Sequence, residues 1–279
     1  MSDVDPMAAM DLDRMPSMNP SVDDQTVSPA RRWNYWLGGK DHFQVDRESG
    51  DRIAAAYPAV RTAAQQGRAF HNRAIRYLAG EAGIRQFLDI GTGLPAPDNT
   101  HEVAQSIDPA SRVVYVDNDP MVLAHARALM TGGTTTFVHG DLNDPGAILA
   151  ADELRDTLDL SRPVAILLIA VLHFIPDDDK ARAVVRELVD AAAPGSYLVA
   201  TNSTKDFVPP HVAAVYDQML AAGHVDAWPR DKDTFGSFFD GLELVDPGAV
   251  AISEWRPDSE DRPAAAEVSM YGAIGLKSR

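Results

Sequence analysis

The sequence contains no cysteine. Disulfide scaffolds, thiolate zinc sites, iron–sulfur clusters and a cysteine nucleophile are therefore excluded, and a metal would have to be held by histidines and carboxylates. Long apolar runs are missing too: the longest, Val164 to Leu172, is nine residues, about half of a membrane-spanning helix. The N-terminus lacks a basic stretch followed by an apolar core, so no secretory signal is read there. Positive charge is scarce. Lys and Arg total 25 against 41 Asp and Glu, a net charge of −16, and no basic cluster exceeds the pair Arg31-Arg32. Such a chain repels phosphate backbones. The expectation is a soluble, cytoplasmic protein with neither nucleic acid nor membrane as a partner.

What is present reads as a folded chain of 279 residues, with 45% apolar and 24% charged side chains, long enough for one large α/β domain with an appendage. Residues 1–28 carry six acids and one base without sustained periodicity, and read as a disordered acidic tail. Its five Met residues are either a partner-binding surface or part of a solvated leader. Residues 29–82 read as a helical N-terminal extension. It opens with a segment from Arg32 to Phe43 that sets Trp33, Tyr35, Trp36 and Phe43 around Gly38-Gly39, neither tail nor plain helix. Helical patterns follow over Asp46–Tyr57 and Ala59–Gly80, where Phe70, Ala74, Ile75 and Leu78 recur at helical spacing.

Residues 83–279 alternate short apolar runs with helices. Strands are expected at Phe87–Ile90, Val113–Val116, Thr135–His139, Val164–Leu172 and Ser196–Thr201, with helices at Glu102–Ile107, Met121–Leu129 and Ala181–Ala192. A helix near His211–Ala222 and a Phe235–Phe239 segment come next. Leu242–Val245, Val250–Glu254 and Glu267–Leu276 then supply two closing strands, one of them antiparallel at the edge. This is an α/β pattern: a mostly parallel, seven-stranded sheet with helices on both faces.

Ligands on such sheets bind at the carboxyl ends of the strands. Those ends read Gly91-Thr92-Gly93, Asp117-Asn118-Asp119, Gly140-Asp141-Leu142 and Ala170-Val171-Leu172-His173. A glycine turn lets a ligand approach bare backbone. An acid after the second strand accepts from both hydroxyls of a ribose, and an acid after the third accepts from an exocyclic amine. Asp117 lies 24 residues beyond Gly93, and Asp141 another 24 beyond Asp117, one strand–helix unit each. That is the outline of an adenosine site. For each acid alone a helix cap is the competing role, and Asp119-Pro120 has the form of a cap followed by proline at the first helical position.

A nicotinamide or flavin dinucleotide is the natural competitor, since Gly91-x-Gly93-x-x-Ala96 formally fits its fingerprint. Pro95 and Pro97, however, delay the helix whose N-terminus would cradle a pyrophosphate, and the chain has no Tyr-x-x-x-Lys pair. A P-loop is absent as well. Dinucleotide oxidoreduction remains the weakest alternative.

Phe87-Leu-Asp-Ile-Gly-Thr-Gly93, Val114-Tyr-Val-Asp-Asn-Asp119, His139-Gly-Asp141 and Leu172-His173 resemble the motifs of class I S-adenosylmethionine-dependent methyltransferases. More narrowly, Arg32-x-x-x-Trp-Leu-Gly-Gly-Lys-Asp41, Gly91-Thr-Gly-Leu-Pro95 and His101-Glu102 resemble the bacterial S-adenosyl methyltransferase, or DUF574, family. The resemblance covers about residues 28–279. It implies a Rossmann-like class I fold, S-adenosylmethionine as cofactor and no particular substrate. Residue by residue, Gly91, Thr92 and Gly93 would face the methionine and ribose, Asp117 the ribose hydroxyls and Asn118 the adenine. Gly140, Asp141 and the Leu142 amide would meet the adenine edge, and Ala170 the sulfonium side. Asp89 would either reach the methionine amine or serve as a buried structural carboxylate.

Methyl transfer from a sulfonium is an in-line displacement, so a dedicated base is optional. His173 is the candidate base, placed where the fourth strand opens onto the methyl, with a turn-capping role as its alternative. The segment from Trp33 to Phe43 is either a lid over the cofactor or a staple packing the N-terminal helices on the sheet. As a lid it would bring Tyr35 to the reacting groups and Gly39 to the cofactor. The Asn/Asp-Pro-Pro-Tyr signature of nucleic-acid and protein amide methylation is absent, and Ala170-Val-Leu-His-Phe174 looks closer to small-molecule enzymes. His101, His139 and His211 lack ligand spacing, so no metal site is expected. The expected partner is a small-molecule methyl acceptor with an O or N nucleophile. The alternative from another class is a non-catalytic cofactor-binding or protein-interaction module. An enzyme needs a second cavity beside the methyl, which a binding module would lack.

Overall fold

A computed structural model describes residues 23–129 and 133–279; the Met-rich stretch expected to be a tail lies, through residue 22, outside the described residues. Three helices open the chain: α1 (Pro29–Trp36), α2 (Gln44–Ala56) and α3 (Val60–Arg76), with a single π turn at Tyr77–Glu81. Of the segment read as neither tail nor plain helix, residues 37–43 are turn and irregular backbone and residues 32–36 are the last turns of α1. Ser28 caps α1 by accepting from the Arg31 N–H, and Pro29 stands at its first position, where a missing N–H costs nothing.

The alternating part follows as β1 (Gln86–Ile90), α4 (Thr100–Ile107), β2 (Arg112–Asp117), α5 (Pro120–Leu129), β3 (Thr135–His139), α6 (Pro145–Ala150), α7 (Asp152–Thr157), β4 (Ala165–Leu168), α8 (Asp178–Ala191) and β5 (Tyr197–Ser203). The C-terminal part adds α9 (Pro210–Ala221), α10 (Lys232–Gly236), β6 (Glu243–Leu244), β7 (Val250–Ala251), α11 (Ala265–Val268) and β8 (Met270–Leu276).

The sheet runs β3-β2-β1-β4-β5-β8-β6, with β7 also on β8. The first five strands are parallel, and β8 joins β5 antiparallel over the whole length of both. Two expectations are corrected. The sheet has eight strands among the described residues rather than seven, because all three C-terminal segments supply a strand: β6 and β7 share the outer edge of β8. The antiparallel strand β8 is also an inner strand rather than the edge. In addition β4 stops at Leu168, four residues before the end of its apolar run.

Alternation along the strands loads both faces. Leu88, Ile90, Val114, Val116, Ile166 and Leu168 pack toward α6–α8. Phe87, Val113, Tyr115, Ala165 and Leu167 pack toward α3, whose Phe70, Ala74 and Ile75 continue through Leu78 to Trp255. Asp89 shares the parity of Phe87 and therefore faces α3. A third cluster around Trp36, Ile53, Val60 and Ala64 joins α1–α3 to α9, so the N-terminal helices lie across the strand ends where a ligand would enter.

Candidate functional site

The carboxyl ends of β1–β4 open into one cavity of about 590 Å³, within the range that takes a drug-sized ligand. Gly91, Thr92, Gly93, Asp117, Asn118, Gly140, Asp141, Leu142 and Ala170 all line it, and so does Asp89. Gly91 has φ +74°, and a Cβ there would sit 2.5 Å from Val171 Cγ2; only glycine combines that backbone with that neighbour. Gly93 is also left-handed, at φ +68°, but a Cβ on it would meet nothing within 4 Å, so its backbone faces open space. Ala170 adopts φ +54°, and its N–H donates to Thr201 Oγ1 at 2.8 Å.

Asp117 ends β2 with little solvent exposure. Its Oδ2 accepts from the Gly93 N–H at 2.8 Å and its Oδ1 from the Asp119 N–H at 3.0 Å. Burial nevertheless pushes its carboxyl up to about 6, aided by the charge of Asp119, while the backbone donors pull the other way. Asp119 caps α5 through the Met121 N–H at 2.8 Å, and its second oxygen accepts from the Ser28 hydroxyl and lies 3.8 Å from Arg31 Nη1. Asp89 Oδ2 accepts from the Thr100 hydroxyl at 2.5 Å, and His71 Nε2 lies 2.8 Å from the same hydroxyl. Asp141 is more exposed and folds its Oδ1 back onto the Asn143 N–H at 2.8 Å.

Three expected residues are not brought to the cavity. His173 sits on a 3-10 turn, Leu172–Phe174, that begins only after β4 has ended, and its ring is turned inward against Phe174. It is almost fully buried, its Nδ1 has no hydrogen-bond partner, and burial pushes its pKa down to about 4. Phe174 and Ile175 line the cavity in its place. Tyr35 lies two positions beyond Trp33 on α1, which rotates it about 200° to the far face; its hydroxyl donates to Asp51 at 2.7 Å, and Arg61 lies over its ring. Gly39 is packed against the Asn34 side chain, and its N–H donates to the Asn34 carbonyl at 2.9 Å.

Trp33, the first residue of the segment read as lid or staple, lines the cavity, and other residues complete it without having been expected. Val27 and Ser28 enter from the stretch assigned to the tail. Gly67, Arg68 and His71 come from α3. Gly67 lets the Trp33 ring lie against the helix: a Cβ there would be 3.2 Å from Trp33 Cζ2. Arg68 is pinned by carbonyls of the following loop, Asp98 among them at 2.7 Å, and burial lowers its pKa. Asp226 and Trp228 arrive on the segment after α9. That segment is locked by the Trp228 N–H, which donates to the His173 carbonyl at 2.7 Å, and by the buried Arg230, which donates to the carbonyls of Leu172 and Ile175 at 3.0 and 2.6 Å.

The sequence matches the S-adenosyl methyltransferase family over residues 15–278. The chain belongs to that family. A DUF574 family protein from Streptomyces avermitilis is 44% identical, covering 92% of this chain and 99% of its own, with a TM-score of 0.86. A candidate methyltransferase from Thermobifida fusca is 39% identical over 93% of this chain and 98% of its own, with a TM-score of 0.87. No curated protein matches the chain. This S-adenosyl methyltransferase therefore has the class I fold, and its cofactor is S-adenosylmethionine. Among the described residues no helix is long and apolar enough to cross a membrane.

Proposed function

We propose that this methyltransferase acts on a small molecule with an O or N nucleophile, and that the cavity holds cofactor and acceptor together. The observation that carries this reading is that the cavity continues past the strand ends to Trp33, Phe174, Ile175 and Trp228. A cofactor-binding module would be closed there. The covering residues, from Val27 to Trp33, leave a chamber suited to a small molecule.

The residues present fit the cofactor. Gly93 leaves open space beside its backbone, and Asp117 presents a carboxylate at the end of β2 for the ribose hydroxyls. Asn118, Gly140, Asp141 and Leu142 would border the adenine. At the other end Arg68 would hold the methionine carboxylate and Asp89 its ammonium. Residues 29–82 serve as one wall of the chamber. S-adenosylmethionine, when bound, supplies a methyl group on a sulfonium. The chain's own task is then to align the acceptor and exclude water, through Ile169, Ala170 and Val171 below and the N-terminal segment above. No side chain is assigned as a base, since buried His173 is neutral and lies outside the cavity lining.

The test is calorimetric titration with S-adenosylmethionine and with NADH, on wild type and Asp117→Ala, followed by a mass-shift screen of small-molecule acceptors. Binding of the sulfonium alone, lost in the variant, and a methylated product are expected. Cofactor binding with no product from any small O or N nucleophile would favour the binding-module reading.

A further inference from the structure

Resting on the acceptor reading above, we infer that the acceptor carries a protonated amine on an aromatic or apolar body, and that Asp226 with Trp33, Phe174 and Trp228 recognises it.

The charges lining the cavity point this way. Among the described residues five carboxylates line it, on Asp89, Asp117, Asp119, Asp141 and Asp226, against a single guanidinium, Arg68. Arg68 sits at the glycine-turn end, tied to the Pro97 and Asp98 carbonyls, where the methionine carboxylate of the cofactor claims it. Among the described residues no cation lines the cavity beside Phe174 and Trp228 to meet an anionic acceptor. The carboxylate there is Asp226. Its Oδ1 is ion-paired with Arg32, and no hydrogen bond among the described residues engages its Oδ2. Burial within that pair is unequal: the Arg32 side chain is 6% exposed and that of Asp226 42%. Arg32 therefore holds the carboxylate in place from behind, and Asp226 lines the chamber.

The walls fit the same ligand. Two indoles and a phenyl ring offer negative faces that attract a cation, most strongly when water is displaced. Their positions are fixed: Trp33 by Gly67, Trp228 by its N–H bond to the His173 carbonyl, and the Phe174 turn by Arg230. A net charge of −16 raises the local concentration of cationic ligands and lowers that of anions.

The experiment uses the full chain saturated with S-adenosylhomocysteine and three probes sharing one ring: 2-phenylethylamine, 2-phenylethanol and 3-phenylpropionate. Dissociation constants come from calorimetry or ligand-observed NMR. The amine should bind about tenfold or more tightly than the alcohol, the size expected for a hydrogen bond to a charged group, and the acid should bind weakest. Asp226→Asn should erase the preference for the amine over the alcohol. Trp228→Leu, which keeps the carboxylate, should weaken the amine several-fold more than the alcohol. An alcohol or acid that binds as well as the amine to wild type overturns the inference and leaves the cofactor reading standing. Failure of S-adenosylhomocysteine to bind at all overturns both.

Discussion

In the proposed function, Asp117 ties cofactor binding and fold stability to one proton. Replacing it with Asn separates the two, because the amide cannot ionise. In the folded protein the carboxyl is raised by burial from 3.8 to about 6. Between those values the unfolded chain has released a proton that the folded chain retains, so this group's contribution to stability falls as pH rises. Integrated from pH 5 to pH 8, the loss is about 1.4 kcal/mol. The Asn side chain also has one oxygen for the two N–H donors of Gly93 and Asp119, a penalty of about 1–3 kcal/mol that does not vary with pH. The difference in unfolding free energy between variant and wild type, from urea titrations at the two pH values, should therefore shift by about 1.4 kcal/mol in favour of the variant at pH 8. Adenosine, which does not titrate in this interval, reads the other side of the linkage. Its affinity for wild type should weaken about tenfold from pH 8 to pH 5, because only the ionised carboxylate accepts both ribose hydroxyls. Parallel stability profiles for the two proteins, or a pH-independent adenosine affinity, would refute the reasoning.

Gly91→Ala forces a left-handed backbone on alanine and drives its Cβ into Val171; a loss of about 2–4 kcal/mol is expected in thermal or urea denaturation, and adding Val171→Ala should recover only the steric part. Asp46→Asn leaves the buried Arg31 guanidinium with Asp119 at 3.8 Å as its remaining carboxylate. It should cost about 3 kcal/mol and weaken S-adenosylhomocysteine binding although Asp46 does not line the cavity; unchanged affinity in calorimetry would sever the N-terminal segment from the site. His173→Leu removes a buried, neutral side chain whose Nδ1 lacks a partner, so stability should hold and the pH profile of methyl transfer should stay in place; a drop of about a hundredfold in turnover would restore the histidine as a base.

How much of this site was legible follows from what each residue depends on. Gly91, Asp117 and Asp141 were readable because a parallel strand ends where an apolar run meets glycine or an acid, a purely local signal. The end of β4 was not, since Ile169 and Val171 are as apolar as strand residues but line a cavity; hydrophobicity does not distinguish a wall from a core. His173 was misplaced with it. The start of α1 carried a readable signal in Ser28-Pro29, overlooked beside the aromatics that follow, and the helix in turn decides that Trp33 faces the cavity and Tyr35 does not. Asp226 had no local signal at all. Its partner Arg32 is 194 residues away in sequence, and a pairing of that range exists only in the fold.

These long-range ties give the N-terminal helices a share in ligand binding. Asp117 and Asp119 flank one turn, joined by the Asp119 N–H to Asp117 Oδ1. The first carboxylate is the one proposed for the cofactor's ribose, and the second is held by Ser28 and Arg31, with Arg31 held in turn by Asp46 of α2. A ligand that orders this turn therefore favours the docked N-terminal wall, and the docked wall favours the ligand by the same factor, because coupling between two binding events is reciprocal. The wall also carries Trp33 into the chamber and Arg32 to Asp226. Acceptor recognition is thus assembled on the element that cofactor binding steadies, which gives a physical basis for cofactor binding ahead of acceptor.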